Sequence, residues 1–199
     1  FAPRRQEKYI NELDWLETIR SKIDDYGLHF SNRILCAFHT ALKIAEWSPL
    51  TVLAGVSGTG KSELPKLYSR FGGINFINVP VPPNWDSQES MLGYFNSISN
   101  SYEAQPMLNF LVQSREKLIT DSENSEDNYN GLEDTVSLVL LDEMNLAHVE
   151  LYFADFLSKL EQRRAAKNND LPYIDINLGS NIDPYKLSLG RNLLFAGTM

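Results

Sequence analysis

Residues 55–62 read Gly55-Val56-Ser57-Gly58-Thr59-Gly60-Lys61-Ser62, which is the pattern of a phosphate-binding loop. They follow the apolar, β-type run from Leu50 to Ala54 and precede a helical pattern, which is where such a loop must lie. Glycines let the backbone turn through conformations that side chains forbid, so that successive N–H groups converge on one anion. The helix that follows adds its unpaired N–H groups and the positive end of its dipole. The stretch therefore predicts a strand, a phosphate-binding loop and a helix in succession.

Two side chains at the end of this loop have distinct predicted roles. Lys61 can reach the β- and γ-phosphates of a nucleoside triphosphate, and the Ser62 hydroxyl is a hard oxygen ligand for Mg²⁺. Lys61 is therefore a candidate catalytic residue and Ser62 a candidate metal ligand. The whole stretch from Gly55 to Ser62 is a candidate nucleotide-binding segment.

The composition predicts a globular α/β domain. The chain has 199 residues, a formal net charge of −8 and one cysteine, Cys36. The acidic balance argues against a surface devoted to nucleic acid or to an anionic membrane. A single cysteine excludes a disulfide framework within the chain and favours a reducing compartment. No apolar run has membrane-spanning length, so we expect a cytoplasmic protein without a membrane partner.

Alternating helical and strand patterns predict a doubly wound, mainly parallel sheet. The predicted helices run from Tyr9 to Ile23, from Ser31 to Trp47, from Leu64 to Phe71, from Met107 to Ile119 and from Val149 to Leu160. The predicted strands run from Leu50 to Ala54, from Ile74 to Val81, from Val136 to Leu141 and from Asn192 to Gly197. A hairpin is expected from Asp170 to Arg191, and a solvated acidic loop from Asp121 to Asp134.

The predicted central strand ends in Asp142-Glu143. Parallel α/β sheets bind ligands beyond the carboxyl ends of their strands, and the first strand delivers Gly55 to the same edge. Asp142 is therefore a candidate metal ligand that holds Mg²⁺, commonly through water, and Glu143 is a candidate catalytic residue that polarises the attacking water. Taken alone, Asp142 could equally cap a helix. Its spacing from residues 55–62 favours the nucleotide site.

Together these features resemble the core of an AAA+ ATPase. The resemblance depends on residues 55–62, on Asp142-Glu143, and on the strand from Leu193 to Gly197, which falls where that family has its sensor-1 strand. The polar segment near Ser97 to Pro106 and the hairpin from Asp170 to Arg191 resemble additions of the helix-2-insert branch, which includes MoxR-type, dynein-related and McrB-type proteins.

A narrower resemblance is to the McrB-like NTPases of modification-dependent restriction systems. The stretches that carry it are Ser57 to Leu64, Val81 to Asp86 with Leu92 to Asn96, and Leu141 to Ala147. It adds Glu63 and Asn145 to the candidate nucleotide-binding residues. It implies Mg²⁺-dependent hydrolysis of ATP or GTP by a homo-hexameric ring, with an endonuclease subunit as partner and DNA bound through other domains. The absence of an N-K-x-D guanine signature favours ATP.

The resemblance also divides the chain. Residues 1–48 are expected to form an N-terminal helical segment, and residues 49–199 a three-layer core truncated before its lid domain. The sensor-1 polar residue is expected at or just after Met199. Two other functions stay open: a MoxR-like or dynein-related remodelling ATPase, and a nucleotide-dependent binding switch with little hydrolysis.

Several residues have two interpretations each. Trp85 and Tyr94 either grip a translocated strand by stacking or, more often for aromatic side chains, pack on the sheet edge. Asn145 either orients water or caps the next helix. The segment from Tyr26 to Leu28 either wraps the nucleotide base or only links two helices.

The other conspicuous polar residues are expected to have ordinary structural roles. Arg163 and Arg164 lie at the end of an amphipathic helix and are predicted to be solvated charges. The histidines at 29, 39 and 148 are predicted to be hydrogen-bonded rather than metal-bound, because no second pair of ligands accompanies Cys36 and His39.

Overall fold

A computed structural model describes residues 11–119, 129–167, 170–179 and 182–199. The helices are α1 Glu12–Asp25, α2 Asn32–Lys43, α3 Glu63–Gly72, α4 Gln88–Leu92, α5 Pro106–Gln113, α6 Val149–Tyr152 and α7 Ala154–Gln162, with a 3₁₀ turn at Met144–Leu146. The strands are β1 Leu50–Leu53, β2 Asn75–Pro80, β3 Gly93–Asn96, β4 Ser101–Ala104, β5 Leu118–Ile119, β6 Tyr129–Asn130, β7 Ser137–Asp142, β8 Tyr173–Ile176, β9 Tyr185–Ser188 and β10 Leu193–Thr198.

The central sheet has four strands in the order β1–β10–β7–β2, and every pair in it is parallel. The prediction of an α/β fold with a parallel central sheet is therefore confirmed. Because β10 lies between β1 and β7, the strand that precedes the glycine-rich loop does not touch the strand that carries the acids. Register places Leu53 beside Thr198 and Pro80 beside Asp142, so all four strands end at one edge.

Helices cover both faces of this sheet. Alternate residues of β7 face opposite ways, as the period of a strand requires: Leu138 and Leu140 pack in a cluster with α1, α2 and α3. Val139 and Leu141 pack in a second cluster with α5, α6, α7 and the β8–β9 hairpin. Burial on both faces accounts for the nearly continuous apolar run of this strand.

Two shorter ribbons flank the core. The predicted hairpin between residues 170 and 191 is present as the antiparallel pair β8–β9. The polar segment predicted only as an insert contributes β4, which pairs with β3 in a second hairpin. Among the described residues, no helix has the length and apolar character needed to cross a membrane.

Some element predictions were wrong in detail. The helix predicted from Met107 to Ile119 ends at Gln113, and Ile119 lies in a strand. The helix predicted from Ser31 to Trp47 ends at Lys43, and its exposed side includes the apolar residue Ile34. The next residue, Leu35, is buried and packs in the cluster that α2 shares with α1 and α3.

The acidic segment from Asp121 to Asp134 lies partly outside the described residues. Its described part includes Leu132, which is fully buried and belongs to the larger core cluster. The prediction of a wholly solvated loop is therefore wrong at this position. A single apolar residue in a polar segment has no periodicity, and its burial could not be predicted from the pattern.

Arg163 also departs from its predicted role as a solvated charge. It is 1% exposed, and its guanidinium donates hydrogen bonds of 2.7 and 2.9 Å to the carbonyls of Gly190 and Leu193. Burial lowers the pKa of this guanidinium, and the nearby Arg191 lowers it further. Its neighbour Arg164 does stay exposed, with its guanidinium 3.5 Å from the centroid of the Trp47 ring.

Candidate nucleotide-binding site

The glycine-rich loop joins the end of β1 to the start of α3. Gly58 and Gly60 have φ angles of 80° and 83°, a region that other residues rarely adopt. A Cβ atom at Gly60 would also lie 3.0 Å from Cε1 of Phe30. Both positions therefore require glycine. The Leu64 N–H already bonds the Gly60 carbonyl at 2.9 Å, so helical hydrogen bonding begins directly at the loop.

Lys61 lies folded over the loop. Its ammonium donates hydrogen bonds of 2.7 Å to the Gly55 carbonyl and 2.8 Å to the Val56 carbonyl. Thr59 donates to the same Val56 carbonyl at 2.9 Å. A phosphate oxygen is a stronger acceptor for an ammonium than a neutral carbonyl. The arrangement thus holds the cation at the loop in a position from which it can exchange carbonyls for an anion.

Asp142 is the centre of a hydrogen-bond network at the rim of the sheet. Its Oδ1 accepts from the Ser62 hydroxyl at 2.6 Å and from the Thr198 hydroxyl, also at 2.6 Å. Its Oδ2 lies 3.5 Å from the Asn78 amide nitrogen, at the outer limit of a hydrogen bond. The residues come from β2, β7, β10 and the start of α3, so the network ties three strands to the glycine-rich loop.

These bonds determine the charge of Asp142. Burial by itself raises the pKa of the carboxyl, but the hydrogen bonds from Ser62, Thr198 and Asn78, with the Glu143 N–H, together outweigh it and leave the pKa below the ordinary 3.8. Asp142 is therefore an anion at neutral pH. A partly buried carboxylate directly bonded to the loop's serine is suited to hold a cation.

Glu143 adopts an unusual backbone conformation beside this network. Its φ angle is 55°, which costs a non-glycine residue about 1 kcal/mol or more. Its N–H donates to the Thr198 hydroxyl at 2.7 Å, which helps to hold the conformation. The side chain is exposed and lines the cavity above the loop. The left-handed backbone ends β7 at this point and leaves Glu143 among the residues that line the cavity.

A cavity of about 710 Å³ lies over the loop, within the range of small-molecule sites. The loop and the start of α3 line one side, and the opposite side is lined by Glu143, Asn145, Leu146, Thr198 and Met199. A third side is lined by Leu28, His29 and Phe30. The segment suspected of wrapping a base therefore reaches the cavity through Leu28 and the residues after it, whereas the Tyr26 ring packs edge-on against Phe71.

The structure brings together most of the predicted site residues. Those that line the cavity are Gly55, Ser57, Gly58, Thr59, Gly60, Lys61, Ser62, Glu63, Glu143 and Asn145. Val56 is exposed and contributes its carbonyl to Lys61. Asp142 lies behind the wall, at Ser62. Glu63 forms an ion pair with Lys66 at 2.7 Å, so its backbone rather than its carboxylate faces the loop.

Sequence reasoning missed Thr198 and Asn78. Thr198 ends an apolar strand one residue beyond its predicted limit, and Asn78 lies mid-strand in an ordinary alternation. The sequence shows that Asn78 and Thr198 have polar side chains. However, their approach to Asp142 depends on the order of the strands, which places β10 and β2 on either side of β7.

For the residues with two predicted roles, the geometry partly decides between them. Asn145 is exposed at the cavity and is not the N-cap of α6, which follows His148. Trp85 packs edge-on against Tyr152, with ring centroids 5.3 Å apart, as expected for a packing role. Tyr94 is instead half exposed. His39 is hydrogen-bonded to Tyr68 at 2.7 Å, as predicted.

The donor set fits Mg²⁺ better than a transition metal. Within the described ranges, no group of three or more histidine, cysteine, aspartate or glutamate side chains is placed to hold a metal ion. Mg²⁺ needs no such cage, because it keeps several waters and takes one or two protein oxygens together with phosphate oxygens. The Ser62 hydroxyl and the Asp142 carboxylate are oxygens of that kind.

No protein-family model matches this chain, and no curated protein matches it significantly.

Proposed function

We propose that the chain binds a nucleoside triphosphate with Mg²⁺ and hydrolyses its γ-phosphate. The observation that carries the proposal is the 2.6 Å bond between Ser62 Oγ and Asp142 Oδ1, directly beneath a loop whose Gly58 and Gly60 have positive φ angles. Residues 80 positions apart are thus joined where a phosphate-bound cation would lie. This arrangement supports P-loop NTPase chemistry.

Each site residue has a role in this reaction. The N–H groups of the loop and of the first turn of α3 bind the phosphate oxygens. Lys61 exchanges its carbonyl acceptors for β- and γ-phosphate oxygens. Ser62 and Asp142 would hold Mg²⁺, which offsets charge on the phosphates when bound. Glu143 accepts a hydrogen bond from the attacking water and orients it.

Equilibrium titration with fluorescent analogues of ATP and GTP, with and without Mg²⁺, tests the binding step. We expect Lys61→Ala to weaken binding at least about tenfold, since a charge-assisted bond to phosphate is lost. Lys22→Ala removes an exposed lysine from α1 and should leave binding unchanged. If the wild-type chain binds neither nucleotide, or if the two variants bind alike, the proposal is wrong.

The hydrolytic step is tested separately at Glu143. Glu143→Gln keeps the shape of the side chain but removes its charge, so we expect nucleotide binding to persist while phosphate release falls by about a hundredfold or more. A nucleotide-dependent switch with little hydrolysis would instead show equal, slow release from the variant and the wild-type chain. Comparing ATP with GTP in the same assay identifies the base.

The finer proposal is that this site belongs to an AAA+ motor of the McrB-like kind. Support comes from the β3–β4 and β8–β9 hairpins, which occur in the chain positions where the resemblance expects insertions, and from β10 between the loop strand and the acid strand. On this proposal the motor acts in the cytoplasm as a homo-hexamer. A nucleotide-dependent hexamer in sedimentation and a co-purifying endonuclease would support this proposal. Co-purification with the substrate of a remodelling ATPase of the MoxR-like or dynein-related kind would contradict the restriction role.

A further inference from the structure

A second cavity lies between the two hairpins and shares no lining residue with the cavity over the glycine-rich loop. Its volume is about 620 Å³. It is lined by α4, by the β3–β4 hairpin, and by the end of β8 with the residues that follow it. Gly179 brings the second wall against the first, because a Cβ atom there would lie 2.8 Å from the Phe95 ring. The two hairpins therefore form one continuous cleft.

The cleft carries negative charge that the described part of the chain does not neutralise. Glu89 and Asp175 both line it and both are exposed. Neither carboxylate forms an ion pair within the described residues. The nearest cation in register is Lys186, opposite Asp175, but its ammonium lies over the Tyr173 ring, 4.6 Å from the centroid. A ligand for this cleft should be cationic.

Aromatic side chains in the cleft also favour a cationic ligand. Tyr94, Phe95 and Tyr102 line the same cavity, and a guanidinium or ammonium group is attracted to the faces of such rings. Burial raises the pKa of the Tyr102 hydroxyl, and the charge of Glu89 raises it further. The Tyr102 hydroxyl therefore acts as a neutral hydrogen-bond donor and adds no charge to the cleft.

The shape of the cleft fits a chain rather than a small ion. A neighbouring cavity of about 340 Å³ shares Glu89 and Tyr94 with the first, so these two residues stand between two successive subsites. In the described residues β3 pairs only with β4, and β8 only with β9. Each strand thus has an open edge whose N–H and C=O groups can pair with an extended peptide.

We propose that this cleft binds an extended basic segment of a partner protein, with an arginine or lysine side chain placed between the Glu89 and Asp175 carboxylates and against the Tyr102 ring. Tyr94, on the opposite face of the β3–β4 hairpin, contacts the same segment where the two cavities adjoin. The proposal does not depend on the nucleotide site. It also assigns Tyr94 a role other than stacking on a nucleic-acid strand, because phosphates would be repelled by the two carboxylates.

Fluorescence anisotropy on the whole chain tests the proposal. The probe is a labelled peptide with arginine at alternate positions, and its control is the same peptide with citrulline, which keeps the shape of arginine without its charge. The variant Glu89→Gln/Asp175→Asn removes both cleft carboxylates. The matched variant Glu161→Gln/Asp25→Asn removes two exposed carboxylates from α7 and α1. Circular dichroism and the thermal midpoint of each variant establish that both are folded.

We expect the arginine peptide to bind the wild-type chain at least about tenfold more tightly than the citrulline peptide. The cleft variant should lose this preference and the matched variant should keep it. Tyr94→Ala should weaken binding several-fold without affecting the fold, since the ring is half exposed.

Three outcomes would overturn the proposal. In the first, both double variants lose affinity equally, which would mean that net charge alone attracts the peptide. In the second, spermidine displaces the peptide completely at equal charge concentration, which would make a free polyamine the ligand. In the third, single-stranded DNA binds the wild-type cleft and Tyr94→Ala abolishes that binding, which would restore the stacking role.

Discussion

Thr198→Val is the substitution that most directly tests the network at the rim of the sheet. The Thr198 side chain is 1% exposed, donates to Asp142 Oδ1 at 2.6 Å and accepts from the Glu143 N–H at 2.7 Å. Valine has nearly the same shape and suits a strand, but it can do neither. The change therefore removes two hydrogen bonds and leaves the packing in place.

The expected cost follows from those two bonds. A hydrogen bond to a charged group contributes about 1.5–3 kcal/mol, and a buried N–H left without an acceptor costs about 1–3 kcal/mol. Asp142 keeps its bond from Ser62 and is partly open to water, so the sum is discounted. We expect the free energy of unfolding to fall by about 2–3 kcal/mol. Glu143 should also lose part of the support for its left-handed backbone.

Urea denaturation followed by circular dichroism measures this loss. With a slope near 2 kcal/mol/M, the midpoint should fall by about 1–1.5 M. Thr198→Ser keeps the hydroxyl and loses only a methyl group, so its midpoint should fall by clearly less. A valine variant within about 0.5 kcal/mol of the wild-type chain, or a serine variant as unstable as the valine one, would show that the network does not stabilise the fold.

Three further predictions concern stability. The pKa of Asp142 is lower in the folded chain than its ordinary 3.8. The contribution of this carboxylate to the free energy of unfolding is therefore complete above about pH 4 and is lost as pH falls through the folded-state pKa. Asp142→Asn should flatten the acid side of a curve of stability against pH measured with urea, and an unchanged acid side would contradict the lowered pKa. Arg163→Met removes the guanidinium donor from the Leu193 carbonyl and from the Gly190 carbonyl, which keeps a bond of 3.2 Å from the Leu193 N–H. It should lower the free energy of unfolding by about 2–4 kcal/mol, whereas the solvated arginine predicted from the pattern would cost almost nothing. Leu132→Ala opens a cavity in the larger core cluster and should cost about 2–5 kcal/mol by urea denaturation; a loss below about 1 kcal/mol would mean that this leucine is not packed in the core.

Patterns with a local physical cause were predictable from the chain alone. The parallel α/β fold followed from strand-like and helical periods in alternation, and the glycines at 58 and 60 followed from a loop that must turn at φ angles other residues avoid. The meeting of Ser62 and Asp142 at one edge was also predictable, because parallel strands end together. Each of these inferences uses only short stretches of sequence and one rule of geometry.

Contacts between distant segments were not predictable in the same way. Arg163 has the helical position of a solvated residue, yet α7 docks where the carbonyls of Gly190 and Leu193 need a donor. Thr198 and Asn78 reach Asp142 only because β10 and β2 flank β7. Neither period nor composition encodes which strands become neighbours.

By itself, therefore, the sequence determined the fold class, the glycine-rich turn between a strand and a helix and the pair of acids at the end of a strand, because each depends on the conformations open to a few consecutive residues. The tertiary structure alone decided that a threonine from the intervening strand bonds to both acids, that an arginine is buried at the start of β10, at the opposite edge of the sheet, and that two hairpins enclose an acidic, aromatic cleft. Those features arise from the order in which strands and helices pack, and that order is a property of the whole chain.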